Sequence, residues 1–445
     1  SPSRGLGDVY KRQVLTVKGF DEHYKAVHGR DWIAMTAHFG CWEYCSYWGL
    51  YERSQMLVAV YHPLRSKVME RLYQRLRNYE NSMTVAMKDS LRFYLRNRER
   101  GIEGKNLVMA NQVGGSTDIV YDGTSGAFNN RGELVLMMKH FEEDFQIFDT
   151  KAQNPPVGVP STYNDRTRMV YQAARCGLRD FFLKNGYKKA CIGLSGGIDS
   201  AVVACLAADA LGAGNVRALL LPSQFSSDHS VEDAKKLAEN LGVEYNVIPI
   251  TEIYTSVVNT LKPVIGGREF DATEENIQTR IRTVLLMAVQ NKTDYILLNS
   301  SNKSENALGL CTLYGDTAGA FSPTGDLYKS EMYDVARYIN RTFGNVIPEN
   351  ILDKEPSSEL HPGQKDSDIL PPYEVVDAIL LRMIEEGQHR EEIVNAGFDS
   401  EVVEKIHCMI MRNEKKRYQF PPVLRLSMCS FGHERLMPLT NKYGD

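Results

Sequence analysis

No apolar run in this chain approaches the roughly 18 residues that a membrane-crossing helix requires, and the opening residues show no signal-peptide pattern. The eight cysteines are scattered, with no C-x-x-C pair and no metal-ligand spacing. That excludes a disulfide framework and a cysteine metal site, and it points to free thiols in a reducing, cytoplasmic setting. What is present is ordinary for a globular protein: 43% hydrophobic and 24% charged residues over 445 positions, enough for about two or three domains.

Charge is unevenly spread. Residues 1–100 carry 17 Lys and Arg against 10 Asp and Glu, whereas the remaining 345 carry 35 against 46, a +7 head on a −11 body. The composition break predicts unlike pieces. Residues 1–13 lack periodicity and read as disordered or extraneous. In residues 14–108, Ile33 to Glu43 reads as a short strand and turn, and His38 and Glu43 stand in H-x4-E spacing. That pair suits a general base oriented by a carboxylate. Val68, Leu72 and Leu76, then Leu91 and Leu95, recur at helical spacing. The arginines of these helices read equally as an anionic-surface contact or as a solvated helix face. The motif, with Val60 to Arg65 and Met87 to Met109, resembles glycerolipid and lipid A acyltransferases, and the resemblance covers only a fragment of such an enzyme.

Residues 109–153 read as β-strands with glycine turns: Met109 to Gly115, Ile119 to Gly126, and Leu134 to Leu136. They resemble the last strands of a nitrilase-type glutaminase. That amidase needs a Glu, a Lys and a Cys nucleophile, which the family carries upstream of these strands. Here the acyltransferase-like piece stands upstream, and neither Cys41 nor Cys45 has a nitrilase context. The segment therefore reads as a remnant, and the junction near 108 as that of a chimera. A proline-rich linker, 154–161, follows.

From 162 to 445 helices and strands alternate. The most informative stretch is Leu194-Ser195-Gly196-Gly197-Ile198-Asp199-Ser200, between the apolar run Ala190 to Leu194 and the helical run Ala201 to Ala207. Strand, glycine loop and helix is a polyphosphate-binding geometry. The loop lacks the Lys of the common phosphate loop; Asp199 stands in its place, and a carboxylate there suits Mg²⁺ bridging to a pyrophosphate. The loop resembles that of ATP pyrophosphatases. The expected elements are a helix over Tyr171 to Lys184, strands over Lys188 to Leu194, Arg217 to Leu221, Val243 to Ile250 and Asp294 to Asn299, and helices over Ala201 to Leu211, from Ser230 to Leu241, and opening at Glu275. Such a pattern forms a parallel sheet covered on both faces, with ligands at the carboxyl ends of its strands. The fold expected is therefore α/β: a parallel-sheet, adenine-nucleotide α-hydrolase-like (ATP pyrophosphatase) domain, preceded by a nitrilase-like β remnant and an α/β acyltransferase-like fragment.

Further motifs narrow the chemistry. Asn276 and Arg280 are i, i+4 neighbours on one helix face. Glu305 follows a buried strand and can complete a Mg²⁺ site with Asp199. Together with C-T-L-Y-G-D (311–316), L-Y-K (327–329) and K-E-P-S-S-E-L (354–360), these motifs resemble the glutamine-dependent NAD synthetases over roughly 108–445. Leu313, where the smaller ammonia-dependent synthetases have a Lys, agrees with that branch. The resemblance implies amidation of deamido-NAD⁺ through an adenylated intermediate. ATP would lie on Leu194, Ser195, Gly196, Gly197, Ile198, Asp199, Ser200, Ser300, Lys329 and Ser357. Deamido-NAD⁺ would lie on Asn276, Arg280, Glu305 and Lys416, and Mg²⁺ on Asp199 and Glu305. Asp199, Glu305 and Lys329 would be catalytic. Ammonia would be used directly, since the glutaminase triad is missing, and the domain would form a homodimer. Rival readings are another ATP-pyrophosphatase amide ligase or a tRNA-thiolating enzyme, a membrane-surface acyltransferase working through His38 and Glu43, and a non-enzymatic, aggregating product. The acidic body and the lack of a reactive cysteine pair disfavour a nucleic-acid partner.

Overall fold

The computed structural model describes residues 57–61, 82–86, 107–109, 111–116, 118–129, 131, 133–149, 155–432 and 434–439. The expectations for residues 1–13, for the strand over 33–43 with His38 and Glu43, and for the helices around 68–76 and 91–95 lie outside them. The chain divides into two compact units, one of residues 1–113 with 122–159, the other of residues 114–121 with 160–445.

In the first unit, β1 (Leu57–Tyr61) pairs in parallel with β2 (Ser82–Ala86). The strand expected over 109–115 is broken. β3 (Leu107–Met109) ends where β4 (Val113–Ser116) has yet to begin, because the chain changes partners. β4 pairs with β5 (Ile119–Asp122), largely within the 114–121 segment of the second unit, whereas in the first unit β3 joins an antiparallel sheet with β6 (Gly126–Phe128) and β7 (Leu134–Met137) in the order β3-β6-β7.

The second unit holds the alternating pattern. α1 (Arg166–Lys184) starts five residues before the apolar periodicity, because Asp165 caps it by accepting from the Arg168 N–H. The turn at 114–116 is tied to this helix: Gly115 N–H donates to buried Asp180 at 2.8 Å, and Lys184 donates to the Gly115 carbonyl. β8 (Lys189–Gly193), α2 (Ile198–Leu211), β9 (Val216–Leu220), α3 (Asp228–Leu241) and β10 (Glu244–Val247) follow in turn. Next come α4 (Thr251–Ile265), α5 (Ala272–Lys292), β11 (Tyr295–Leu297), α6 (Lys303–Leu308), α7 (Lys329–Phe343) and α8 (Glu349–Asp353). α9 (Tyr373–Ile384), α10 (Arg390–Asn395), α11 (Ser400–Arg412) and α12 (Glu414–Arg417) end the unit.

The four strands β10-β9-β8-β11 form an all-parallel sheet. Strands buried on both faces read as continuous apolar runs. In β8 the alternation still sorts residues between layers: Ala190 and Ile192 join the core with α1, α2, α3 and α7, and Cys191 faces the other side. On that side Leu219 and Leu221 pack on α4 and α5 through Ile250, Tyr254 and Ile281. α2 is apolar all round because the sheet and neighbouring helices enclose it; Val202, Val203 and Leu206 are fully buried. A separate core around Leu308, Val376, Ile379 and Ile406 joins α6, α9 and α11.

β10 and β11 are shorter than the apolar runs suggest. β10 is an exposed edge, and past its end Ile248 and Ile250 N–H still donate to the Leu220 and Pro222 carbonyls. Past β11, Leu298 N–H donates to Cys191 and Asn299 N–H turns to Phe321, bending the chain out of the ladder. Among the described residues, no helix is long and apolar enough to cross a membrane.

Candidate active site

The strand order runs β8, β9, β10 outward and then returns to β11 on the other side of β8. The crevice at such a reversal, beyond the carboxyl ends of the strands, is where α/β sheets take ligands. Here it is a cleft of about 300 Å³ lined by residues 193–200, the end of β9, one face of α5, residues 297–301, and residues 354–360.

Gly193 ends β8 and Ile198 opens α2, so four residues make the connection. Gly196 has φ +81°, and a Cβ there would stand 2.2 Å from the Ser230 carbonyl oxygen. Only glycine fits. Two hydroxyls brace the loop. Gly197 N–H donates to Ser195 Oγ at 3.2 Å, Ser195 N–H donates to Ser200 Oγ at 3.2 Å, and Ser200 Oγ donates to the Gly197 carbonyl at 3.1 Å. Gly197 is the N-cap of α2 and brings no side chain to its first turn. The leading N–H groups of a 14-residue buried helix are thus left for an anion.

Beside the loop, Lys329 Nζ donates to Asp199 Oδ2 at 2.6 Å and to Glu305 Oε1 at 3.1 Å. Asn302, the N-cap of α6, donates to the other Asp199 oxygen at 2.9 Å. Burial pushes the Glu305 carboxyl up to about 7; the Asp199 charge adds to the rise and Lys329 opposes it. Burial acts to lower the Lys329 ammonium, but the two carboxylates outweigh it and hold the group well above its usual range. The donor set fits Mg²⁺, which takes one or two carboxylate oxygens and completes its shell with water and substrate phosphates. A divalent ion would also neutralise the desolvated Glu305.

Ser300 and Ser357 line the same cleft. Ser357 Oγ donates to the Gln364 carbonyl at 2.6 Å. Asn276, Arg280 and Lys416 do not line it; they converge on the adjoining 309–313 segment. Thr312 Oγ1 donates to Asn276 at 2.6 Å, and Arg280 Nε donates to the Leu313 carbonyl at 3.2 Å. Lys416 Nζ donates to the Gly309 and Cys311 carbonyls at 2.6 and 2.8 Å.

Sequence reasoning assigned no role to three other cleft residues. Glu359, at φ +48°, accepts from Lys354 Nζ at 2.5 Å, from Ser227 and Ser230 Oγ at 2.8 Å each, and from Ser227 N–H at 3.2 Å. Burial opposes its ionisation, yet these donors hold the carboxyl below its ordinary value. Lys354 also reaches Ser230 Oγ, so one cluster joins residues 354–360 to the start of α3, against which the glycine loop packs. Arg282, two residues beyond Arg280 and so on another face of α5, donates through Nε to the Leu221 carbonyl at 3.0 Å.

A parallel sheet with a lysine-free glycine loop at its reversal point, facing a carboxylate on the helix that follows the neighbouring strand, defines the adenine-nucleotide α-hydrolase-like, or ATP pyrophosphatase, class. Comparison with known proteins takes this further. The family model described as NAD synthase matches residues 170–420, and the chain belongs to that family. It is 42% identical over 372 residues to the glutamine-dependent NAD(+) synthetase of Thermotoga maritima, covering 76% of this chain and 65% of that protein. It is 43% identical over 366 residues to the corresponding protein of Aquifex aeolicus, covering 75% and 64%. The chain thus spans about two thirds or slightly less of the curated relatives it matches. Among solved structures, it is similar to glutamine-dependent NAD+ synthetase from Acinetobacter baumannii in complex with adenosine diphosphate. That likeness has 34% identity and a TM-score of 0.53, over 86% of this chain and 72% of that one. The enzyme of the same name from Cytophaga hutchinsonii shares the fold, with a TM-score of 0.62 at 19% identity over 80% of this chain and 68% of that one.

Proposed function

We propose that this chain makes NAD⁺ by ATP-dependent amidation of deamido-NAD⁺, taking ammonia directly. The observation that carries the reading is the Asp199–Lys329–Glu305 cluster beside a glycine loop that has no lysine of its own. The names of the relatives support it.

In the first step an oxygen of the nicotinate carboxylate attacks the α-phosphorus of ATP. The bond to the β-phosphate oxygen breaks, and pyrophosphate leaves. In the second, ammonia attacks the activated carbonyl carbon. The bond to the AMP oxygen breaks, AMP leaves, and the nitrogen sheds a proton to become the amide. No side chain acts as a covalent nucleophile. The N–H groups of Gly196 and of the first turn of α2, with the Ser195 and Ser200 hydroxyls, cradle the departing pyrophosphate, and such preorganised donors stabilise charge where it develops. Asp199 and Glu305 would hold Mg²⁺, whose chemistry when bound is to neutralise the leaving group. Lys329 brings the cluster a fixed positive charge for an ATP phosphate. Ser300 and Ser357 flank the nucleotide. Asn276, Arg280 and Lys416, by fixing residues 309–313, shape the wall on which deamido-NAD⁺ rests beside Glu305.

Direct use of ammonia rests on the residues present: ahead of the 107–137 strands this sequence offers no Glu, Lys and Cys in a nitrilase setting. On the same reading, residues 109–153 derive from a glutaminase, 154–161 are a linker, and 162–445 are the synthetase domain. That domain pairs with a second copy. The test is pyrophosphate release from ATP and deamido-NAD⁺ with either ammonium or glutamine as nitrogen source. Release with ammonium alone is expected. Equal release with glutamine overturns the nitrogen assignment, and release with neither overturns the synthetase reading.

A further inference from the structure

Three cations line the cleft among the described residues: Lys329, Lys354 and Arg282. Two already have carboxylate partners. Lys329 lies within 3.1 Å of Asp199 and Glu305, and Lys354 is 2.5 Å from Glu359. Arg282 has no ion pair among the described residues. Its Nε is held by the Leu221 carbonyl, and its terminal nitrogens have no hydrogen-bond partner among the described residues. The carboxylates whose charges reach it, Glu359 and Asp316, are not ion-paired to it, and burial lowers its guanidinium below the ordinary value. An arginine stays charged even so, and a part-buried guanidinium without a counter-ion is the feature a planar anionic oxygen pair can satisfy.

Its position says which anion. The glycine loop follows β8, the middle of three strand ends. The Asp199–Lys329–Glu305 cluster gathers on the β11 side of that loop. Arg282 is pinned to Leu221, just past the end of β9 on the other side, and Leu194 N–H bonds Leu219 on that same strand. With the pyrophosphate on the loop and the carboxylate–lysine cluster, the end of β9 is the side of the loop that the cluster leaves open, and Arg282 stands there for the remaining phosphate.

We infer that Arg282 binds the α-phosphate, the group that remains on the adenylate and leaves as AMP. The inference rests on the proposed adenylating function and adds the residue that holds the half of ATP the loop does not. Arg282 positions the α-phosphoryl group for attack by the carboxylate and steadies the adenylate while ammonia displaces it.

The test uses the full chain in EDTA, with AMP and inorganic pyrophosphate as separate titrants by calorimetry. Arg282→Gln is expected to weaken AMP about 10- to 100-fold, the loss of one charge-assisted contact, and to leave pyrophosphate affinity unchanged. Arg282→Lys keeps the charge without the fork and is expected to fall between; it serves as the test if the glutamine variant does not fold. Equal losses for both titrants, a loss for pyrophosphate alone, or no loss for AMP overturns the assignment. Wild-type protein that binds neither titrant and releases no pyrophosphate with ammonium overturns the synthetase reading itself.

Discussion

Lys329 and Asp199 are 130 residues apart in sequence, and their side chains meet at 2.6 Å. Each sits in the first turn of a helix, α7 and α2. A lysine at a helix N-terminus is opposed by the helix dipole, and Lys329 is almost fully buried as well. The two carboxylates are what make its charged form stable there. The arrangement places three ionic groups where a phosphate chain would lie.

Removing either carboxylate should therefore damage chemistry more than folding. Asp199→Asn and Glu305→Gln are each expected to lower ammonium-dependent turnover about 100-fold or more, the scale for lost charge stabilisation in a transition state. Steady-state pyrophosphate release at saturating Mg²⁺ checks this, with circular dichroism as the folding control. Near-normal turnover in either variant removes that residue from the metal site.

Glu305 also gives the protein a pH signature. Its carboxyl titrates near 7 when folded and near 4.5 when exposed. Between those values the folded state binds the extra proton, so this group's contribution to stability declines as pH rises from about 4.5 to about 7 and is level above that. Urea midpoints in EDTA should fall over this window more steeply for wild type than for Glu305→Gln. Mg²⁺ favours the ionised form, so its half-saturating concentration should drop between pH 6 and pH 8. Parallel urea curves for the two proteins contradict the assigned burial of Glu305.

The loop with Asp199 and its flanking strand and helix were legible in sequence, because their signal is local: an apolar run, a glycine pair and a buried helix in succession. Glu305 was singled out as a carboxylate after a second buried strand, and Lys329 through the motif resemblance alone. The helix starts were less so. α1 and α5 begin at Arg166 and Ala272, before the stretches that suggested them, since Asp165 and Asp271 extend each helix by capping it. Strand ends were overestimated at β10 and β11, where hydrogen bonding continues beyond the regular ladder. The Lys354–Glu359 clasp was not legible, because Ser227 and Ser230, its other members, lie more than 120 residues away. Nor was the convergence of Asn276, Arg280 and Lys416 on residues 309–313, which spacing along α5 alone does not reveal.

Gly196 is expected to tolerate no side chain. Its φ of +81° is strained for any other residue, and the Cβ would strike the backbone oxygen of Ser230, which cannot swing aside as a side chain does. Gly196→Ala should abolish measurable ATP binding and lower the thermal midpoint. Gly242→Ala is the control. It has φ +67° with open space around the Cβ and should cost only about 1 kcal/mol, with ATP affinity retained. Equal effects of the two changes would mean that backbone strain, not the Ser230 contact, governs the loop.

Lys303 separates stability from catalysis. It stands two residues from Glu305, yet its side chain is wholly buried and lies away from the cleft. Nζ meets Asp326 at 3.0 Å, Glu385 at 2.8 Å, Ser427 Oγ at 2.6 Å and the Cys429 carbonyl at 3.1 Å, and sits 4.9 Å from the centre of the Tyr328 ring. Asp326 in turn accepts from the N–H groups of Leu426 and Ser427 at 2.8 Å each, so the lysine helps to fix the C-terminal segment against α6. Methionine would keep the stem and delete the charge, leaving two carboxylates buried without a counter-ion. Breaking a buried ion pair from one side costs about 3–5 kcal/mol. Lys303→Met should show that loss in urea denaturation, while the fraction that stays folded keeps its ATP affinity. Adding Glu385→Gln should restore part of the stability, because one of the orphaned charges is then gone. If the double variant is no more stable than Lys303→Met, then Lys303 acts through packing and not through its charge.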